Sequence, residues 1–200
     1  MCGITGYKRF DGNYVNIETL KEMGNSISHR GPDSEGIWCN LDVGFAHKRL
    51  SVIDLSDDAS QPMISSCKRY VICYNGEIYN YKDIKLELLS LGYKFKTNSD
   101  TEVILVAWKH WGEECLLKFN GMFSFALYDN LKSNLHLCRD RYGIKPLYYF
   151  YDKKNFIFGS EIKSILVNNL YKSSLDFEAI LEYFTFQNLF TNKTFFKNIQ

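Results

Sequence analysis

The 200-residue chain lacks the patterns of zinc-binding, membrane-spanning and nucleic-acid-binding proteins. Its six cysteines form no CxxC pair and no Cys/His cluster with zinc-ligand spacing. No apolar run is long enough to span a membrane. The 24 lysines and arginines are interspersed with 23 acidic residues, without a basic stripe, which argues against a nucleic acid partner. The N-terminus shows no secretory signal pattern, so we expect a cytoplasmic location.

Internal repeats, low-complexity tracts and Pro/Gly/Ser-rich linkers are also absent. The length suits one domain, and 46% hydrophobic with 24% charged residues is the composition of a globular protein with a packed core. The 15 Phe, 14 Tyr and 3 Trp favour a strand-rich core, because large rings pack well on sheets. We therefore predict a single domain over residues 1–200, whose end could form the start of a linker.

Hydrophobic periodicity predicts strands and helices along the whole chain. Strands are predicted at Cys2–Arg9, Gly36–Asn40, Val43–Leu50, Arg69–Tyr74, Met122–Tyr128, around Leu135 and Leu137, at Leu147–Tyr151, Phe156–Gly159 and Thr194–Ile199. Helices are predicted at Ile17–Ser28, Tyr81–Leu91, Asp100–Trp111, Glu113–Lys118, Glu161–Val167 and Asp176–Tyr183. Because strands and helices are grouped rather than strictly alternating, the pattern favours α+β layers.

Local signals predict where several of these helices begin and end. Asn16 and Asn80 are candidate N-caps, and Ser99 with Glu102 has the spacing of a capping box. The segment 29–32 (His-Arg-Gly-Pro) places two cations, a glycine and a proline after a helix, which is typical of a helix C-terminus.

Cys2 differs from the other five cysteines, which are predicted to be small buried hydrophobic residues. If Met1 is removed, Cys2 carries both a thiol and the free α-amine of the chain. An α-amine has a pKa of about 7.7–8.0 and a thiol about 8.5, so the amine can accept the thiol proton near neutral pH. Gly3 lets the backbone approach a ligand closely. The alternative is an ordinary cysteine near a terminus.

Five segments form a larger pattern: CGITG at 2–6, HRGPDSEG at 29–36, AHKRLSVID at 46–54, YNGEIYN at 74–80 and SDTE at 99–102. In this order and spacing they resemble class II glutamine amidotransferase domains, most of all the N-terminal glutaminase domain of glutamine-dependent asparagine synthetases. The resemblance implies the N-terminal nucleophile hydrolase fold, a four-layer αββα sandwich of two antiparallel sheets. It also implies an enzyme that hydrolyses glutamine to glutamate and ammonia, with Cys2 as catalytic nucleophile.

Two charged residues are candidates for binding the head group of the substrate. Arg49 ends a predicted strand face, and its guanidinium matches a carboxylate in a bidentate geometry, although a surface arginine is the alternative. Asp100 lies in the first turn of a predicted helix, where the helix dipole already favours a carboxylate. The resemblance implies that Arg49 binds the α-carboxylate of glutamine and that Asp100 binds its α-ammonium group.

Asn75 and Gly76 are candidates for the oxyanion-binding site. Asn-Gly is typical of a turn, but here it lies between a predicted strand and a helix N-cap rather than between two strands. A side-chain amide and a glycine N–H can direct two donors at one oxygen, as an oxyanion hole requires. The resemblance assigns this role to Asn75 and Gly76, and implies that Glu77 helps to hold the substrate.

The remaining expectations concern partners and other polar residues. The resemblance implies no metal or organic cofactor in this domain, and ATP with Mg²⁺ only in a synthetase domain acting in cis or trans. The synthetase pyrophosphate loop, Ser-Gly-Gly-x-Asp-Ser, does not occur in the chain, so we expect that domain to be absent. A homodimer is left open. The cations in residues 139–149 and 159–163 are predicted to serve a domain interface or solvated loops, and His47 is expected to be a packed or exposed side chain without a catalytic role.

Within the resemblance, Pro32 and Leu50 favour the asparagine synthetases over relatives that make glucosamine phosphate or phosphoribosylamine. Two alternatives remain: an amidotransferase with a different ammonia acceptor, and a catalytically silent interaction module. The mass of the purified chain bears on the silent module, because an uncleaved Met1 would make Cys2 an internal residue.

Overall fold

The computed structural model describes residues Met1–Gln200 as two antiparallel sheets with helices on their outer faces. The strands are β1 (Gly3–Arg9), β2 (Ser34–Asn40), β3 (Val43–Arg49), β4 (Met63–Ile64), β5 (Tyr70–Ile78), β6 (Gly121–Asp129), β7 (Asn134–Arg139), β8 (Tyr148–Tyr151) and β9 (Asn155–Gly159). The α-helices are α1 (Ile17–Ser26), α2 (Tyr81–Ser90), α3 (Asp100–Trp111), α4 (Ile162–Leu166) and α5 (Phe177–Phe186). The predicted helix at Glu113–Lys118 is a 3₁₀ helix, Gly112–Leu117.

The two sheets stack face to face, as the α+β sandwich prediction requires. The first has the strand order β2-β3-β1-β9-β8 and the second β4-β5-β6-β7. Helices α1 and α4 pack on the first sheet, and α2 and α3 pack on the second, which gives the layers αββα. The core between the sheets contains Ile4, Val43, Phe45, Val71, Cys73, Ala126, Tyr128, Leu147 and Phe158. No helix is both long and apolar enough to cross a membrane.

Strand β6 illustrates how the sequence builds two cores. Side chains alternate between the faces of a strand, so Phe123, Phe125 and Leu127 pack in the core that contains α3. Ala126 and Tyr128 point the other way, into the core between the sheets. The predicted alternation over Met122–Tyr128 is therefore confirmed.

The predicted starts of α1, α2 and α3 are correct and those of α4 and α5 lie one residue too early, while two of the predicted capping interactions do not form. Asn16 Oδ1 accepts from Glu18 N at 2.8 Å, which caps α1. Asn80 precedes α2 without capping it, because its carboxamide binds the backbone of residues 118 and 120 instead. Ser99 caps α3, but the Glu102 carboxylate accepts from the backbone N–H groups of residues 96 and 97, so no capping box forms.

Two further predictions were wrong. Helix α1 ends at Ser26, before the predicted stop signal, and His29 and Arg30 form part of a separate 3₁₀ turn. Their side chains bind the distant carboxylate of Glu161 rather than helix carbonyls. Residues 194–199 form no strand, because only isolated bridges, such as Phe150 with Ile199, tie this segment to the fold.

The cysteines are all free thiols, and their burial differs from the prediction. Cys73 and Cys115 are buried as expected, and Cys138 is half-buried. Cys39 and Cys67 are exposed, because Cys39 lies near the end of the edge strand β2 and Cys67 lies in a turn before β5.

Candidate active site

A single cavity gathers all six of the predicted site residues. It opens where the residue before β1, the end of β3, the last part of β5 and the beginning of α3 meet. These elements contribute Cys2, Arg49, Asn75, Gly76, Glu77 and Asp100. Segments that lie up to 98 positions apart in the sequence thus line one cavity, which is the arrangement that the family resemblance predicts.

The Cys2 thiol is held by the backbone of Leu50 at the end of β3. Leu50 N donates to Cys2 Sγ at 3.3 Å, and the thiol can donate to Leu50 O at 3.4 Å. Burial raises the pKa of the Cys2 thiol, against the lowering effects of the Leu50 hydrogen bond and of the nearby positive charges. A thiol in this environment needs an adjacent base to become a nucleophile.

Arg30 anchors the main chain of Cys2. Its Nε donates to Cys2 O at 3.0 Å, and its Nη1 donates to Glu161 Oε1 at 2.9 Å. Burial raises the pKa of Glu161, but the hydrogen bonds from Arg30, Lys163 and His29 outweigh it and hold that pKa at about 2. The segment that the sequence indicated as a helix C-terminus therefore fixes the start of β1.

Asn75 and Gly76 lie inside β5 rather than in a turn, so the predicted strand end at Tyr74 was wrong. Gly76 pairs with Phe123 of β6, and a Cβ on Gly76 would lie 2.6 Å from Phe123 Cα. The glycine is therefore required by the close approach of two strands, not by a turn conformation. Asn75 is 1% exposed, and its Nδ2 is a buried donor without a partner in the protein. An unpaired donor at a cavity wall is available to a ligand oxygen.

Arg49 is 6% exposed, so the alternative of a surface arginine is wrong. Its Nη1 and Nη2 donate to the carbonyl oxygens of Ser56 and Asp54, at 3.0 and 2.5 Å. The guanidinium thereby shapes the loop that follows β3 and brings a positive charge to the cavity. Its binding to a carboxylate stays a prediction.

Asp100 lies at the beginning of α3 and is 4% exposed. Its Oδ2 accepts from Tyr74 OH at 2.7 Å and from Ile78 N at 3.1 Å. Burial raises the pKa of Asp100, while these two hydrogen bonds lower it. Glu77 also lines the cavity, where its half-buried carboxylate makes no hydrogen bond to the protein. With Asp54, which also lines it, the cavity thus combines an arginine, three acidic residues and a thiol.

Sequence reasoning missed several residues of this cavity, among them Gln61, Tyr74 and Lys145. The cations at 139–149 were assigned to an interface or to solvated loops, but Lys145 is 6% exposed and lines the cavity. Arg139 Nε donates to Lys145 O at 2.8 Å, and Arg141 donates to carbonyl oxygens after α3, so both brace loops internally. No local signal in the sequence marks these contacts, because each partner is set by the tertiary fold.

Comparison with known proteins decides the family. A family described as "Glutamine amidotransferase domain" matches residues 1–200. The chain belongs to the glutamine amidotransferase domain family. The structure of a B. subtilis glutamine phosphoribosylpyrophosphate amidotransferase, in complex with ADP and GMP, superposes with a TM-score of 0.71 over 83% of this chain and 43% of that chain. Its sequence identity is 20%, so this likeness shows the fold of the amidotransferase domain alone.

Curated relatives of this amidotransferase domain include glutamine-hydrolysing asparagine synthetases. It is 41% identical to asparagine synthetase 3 of Bacillus subtilis, over 92% of this chain and 30% of the relative. It is 38% identical to a putative asparagine synthetase 2 of Methanocaldococcus jannaschii, over 99% of this chain and 42% of the relative. The amidotransferase domain thus spans less than half the length of these relatives.

Proposed function

We propose that this glutamine amidotransferase domain hydrolyses glutamine to glutamate and ammonia with Cys2 as its N-terminal nucleophile. The observation that carries the proposal is the convergence of Cys2, Asn75, Gly76, Arg49 and Asp100 on one cavity. Removal of Met1 is part of the proposal, since the α-amine of Cys2 must be free to act as the base.

The proposed reaction has two halves. The α-amine takes the thiol proton, and Cys2 Sγ attacks the γ-carboxamide carbon of glutamine. The resulting oxyanion accepts hydrogen bonds from Asn75 Nδ2 and Gly76 N, and the ammonium form of the α-amine returns the proton to the departing ammonia. Water, activated by the same amine, then hydrolyses the γ-glutamyl thioester, which releases glutamate and restores the thiol. We propose no metal or organic cofactor for this half-reaction.

The proposed substrate grip uses the charges around the cavity. Arg49 would bind the α-carboxylate of glutamine, and Asp100 would bind its α-ammonium group, with Glu77 as a further contact. The burial of Arg49 and Asp100 supports this assignment, because a charge pair is stronger when water is excluded.

We further propose that the released ammonia serves asparagine synthesis from aspartate, in an ATP- and Mg²⁺-dependent synthetase domain acting in cis or trans. The names and the greater length of the curated relatives support this acceptor. Helix α5 supports a protein partner, because Phe177, Leu181 and Phe184 form an apolar stripe on it and are all exposed. A different acceptor or a silent module remains the alternative.

The decisive test is a glutaminase assay on chain whose mass shows that it begins at Cys2. Cys2→Ala should abolish ammonia release, a loss of at least several thousandfold, because the covalent path is removed. Circular dichroism and the unfolding midpoint should stay near those of the parent chain.

Cys67→Ala is the matched control, since Cys67 is also a free thiol but is exposed and lies outside the cavity. It should keep full activity. Ammonia release by Cys2→Ala at the parental rate would refute the nucleophile assignment. Absence of activity in the parent chain that begins at Cys2, with glutamine in excess, would favour the silent module.

A further inference from the structure

The hydroxyl group of Tyr74 contacts the carboxylate of Asp100. The proposed function requires this carboxylate to be ionised and to face the substrate. Tyr74 is buried on β5 in the core shared with α3. Its hydroxyl donates to Asp100 Oδ2 at 2.7 Å, and Ile78 N donates to the same oxygen at 3.1 Å. The other oxygen, Oδ1, accepts no hydrogen bond from another side chain. Apart from these two donors, only the backbone N–H groups of Asp100 and Thr101 lie beside the carboxylate, so Oδ1 keeps a lone pair for a ligand.

Gln61 holds Tyr74 and α3 together. Its Oε1 accepts from Tyr74 N at 2.6 Å, and its Nε2 donates to Thr101 Oγ1 at 3.3 Å. Thr101 follows Asp100 on α3, so the main chain of Tyr74 and the first turn of this helix are tied through one buried side chain. The distance between the tyrosine and the carboxylate is therefore fixed from both sides.

We propose that Tyr74 is a positioning residue that makes the site selective for amides carrying an α-ammonium group. The inference rests on the proposed function, because it takes Asp100 as the partner of that ammonium. The Tyr74 hydroxyl fixes Oδ2 and thereby directs Oδ1 to the cavity. Since a hydroxyl that donates to a carboxylate favours its ionised form, Tyr74 also keeps the negative charge in place.

The pH dependence of the preference for glutamine should report the contact between Tyr74 and Asp100. Burial raises the pKa of Asp100, and the hydrogen bond from Tyr74 opposes this effect. Without the hydroxyl, the carboxylate is protonated at higher pH, so glutamine binding is lost earlier as the pH falls. The titratable and charged side chains that share the cavity are Cys2, Arg49, Asp54, Tyr74, Glu77 and Lys145. The α-amine of Cys2 also titrates there, but as the base for both substrates it cancels when their kcat/KM values are compared. Of these, Tyr74→Phe changes only the tyrosine.

The test compares Tyr74→Phe with Tyr70→Phe in chain that begins at Cys2. Tyr70 is a matched control, because it lies on the same face of β5, is also buried, and its hydroxyl makes no hydrogen bond. The substrates are glutamine and 4-carbamoylbutanoate, which is glutamine without the α-amine. For Tyr74→Phe we expect the KM for glutamine to rise about tenfold, with kcat changed less than twofold.

Two readouts separate positioning from general damage. In Tyr74→Phe the preference for glutamine over 4-carbamoylbutanoate, measured as the ratio of their kcat/KM values, should fall about tenfold, and the pH below which this preference declines should move to higher pH. In Tyr70→Phe both should match the parent chain. The effect should also be absent in the Asp100→Asn background, because Tyr74 acts through Asp100.

Unchanged KM, preference and pH profile in a folded Tyr74→Phe variant would overturn the inference. If that variant does not fold, Asp100→Asn supplies the test, since it must lose the preference for glutamine; keeping that preference overturns the inference. A parent chain without glutaminase activity would contradict the proposed function instead, so the two failures are distinguishable.

Discussion

At the scale of single residues, His47 lies 1% exposed between the two sheets. Its Nε2 is 3.1 Å from Tyr74 O, and since a carbonyl oxygen only accepts, Nε2 must carry the proton and donate it. Its Nδ1 is buried without a partner. Burial, aided by the charge of Arg49, lowers the pKa of His47 to about 4. The imidazole is therefore neutral in the folded chain at neutral pH, in agreement with the prediction of a packed histidine.

This burial predicts a pH dependence of stability. Between pH of about 6.5, the usual pKa of histidine, and about 4, the unfolded chain binds a proton that the native chain does not. The free energy of unfolding should therefore fall as the pH falls, by up to about 1.4 kcal/mol per pH unit from this residue. His47→Gln should remove this contribution, and urea unfolding at pH 7.5, 6 and 5 measures it. An identical slope in parent and variant would contradict the assignment.

Some contacts of single residues could not be predicted from the sequence, because their partners are distant along the chain. Arg30 and Glu161 lie 131 positions apart, and their ion pair forms because the 3₁₀ turn after α1 meets the start of α4. From the sequence alone, the cations next to Gly31 and Pro32 indicate only a helix end. The role of Lys145 was missed for the same reason, since nothing local shows that its loop lies beside the cavity.

At the scale of elements, the best predictions were those that depend on local chemistry. Helix α3 was predicted at its observed bounds, because Ser99 caps its first turn and Gly112 ends it with a φ of 60°. Strand β6 was predicted correctly from the alternation of apolar side chains along it. In contrast, Asn75-Gly76 was placed beyond the end of the predicted strand, because the need for glycine there comes from a neighbouring strand.

Strand β5 therefore carries an element-scale prediction. Gly76→Ala should lower the free energy of unfolding by about 1–3 kcal/mol, because the new Cβ would lie 2.6 Å from Phe123 Cα and closer still to Met122 O. Gly24→Ala in α1 is the control, since its Cβ would meet Ala46 Cβ at 3.3 Å and alanine favours a helix. Urea unfolding measures both variants, and equal stabilities for the two would contradict the strand contact.

At the scale of the whole molecule, α5 is the element least covered by the rest of the fold. Phe177, Leu181 and Phe184 are 72%, 69% and 78% exposed, and they follow the i, i+4, i+7 spacing of one helix face. The sequence predicted this helix, but periodicity alone could not tell that its apolar face is uncovered. An apolar stripe of this kind is typical of a surface that binds another protein.

The exposed stripe predicts dye binding by the isolated chain. The hydrophobic dye ANS should fluoresce with the parent chain, and replacing Phe177, Leu181 and Phe184 together by Ser should remove most of that signal. Leu131→Ser is the control, because Leu131 is 75% exposed but stands alone in the turn between β6 and β7. Equal fluorescence from all three proteins would contradict an uncovered apolar face on α5.

The central position of β1 has a consequence for synthesis on the ribosome. β1 pairs with β3 on one side and with β9 on the other, and Glu161 lies two residues after the end of β9. At about 5–20 residues per second, the roughly 160 residues up to this point take on the order of 10–30 s to be translated. During that interval β1 has no partner on one edge and Arg30 has no carboxylate. An aminopeptidase therefore has time to act on Met1 before the main chain of Cys2 is fixed in place.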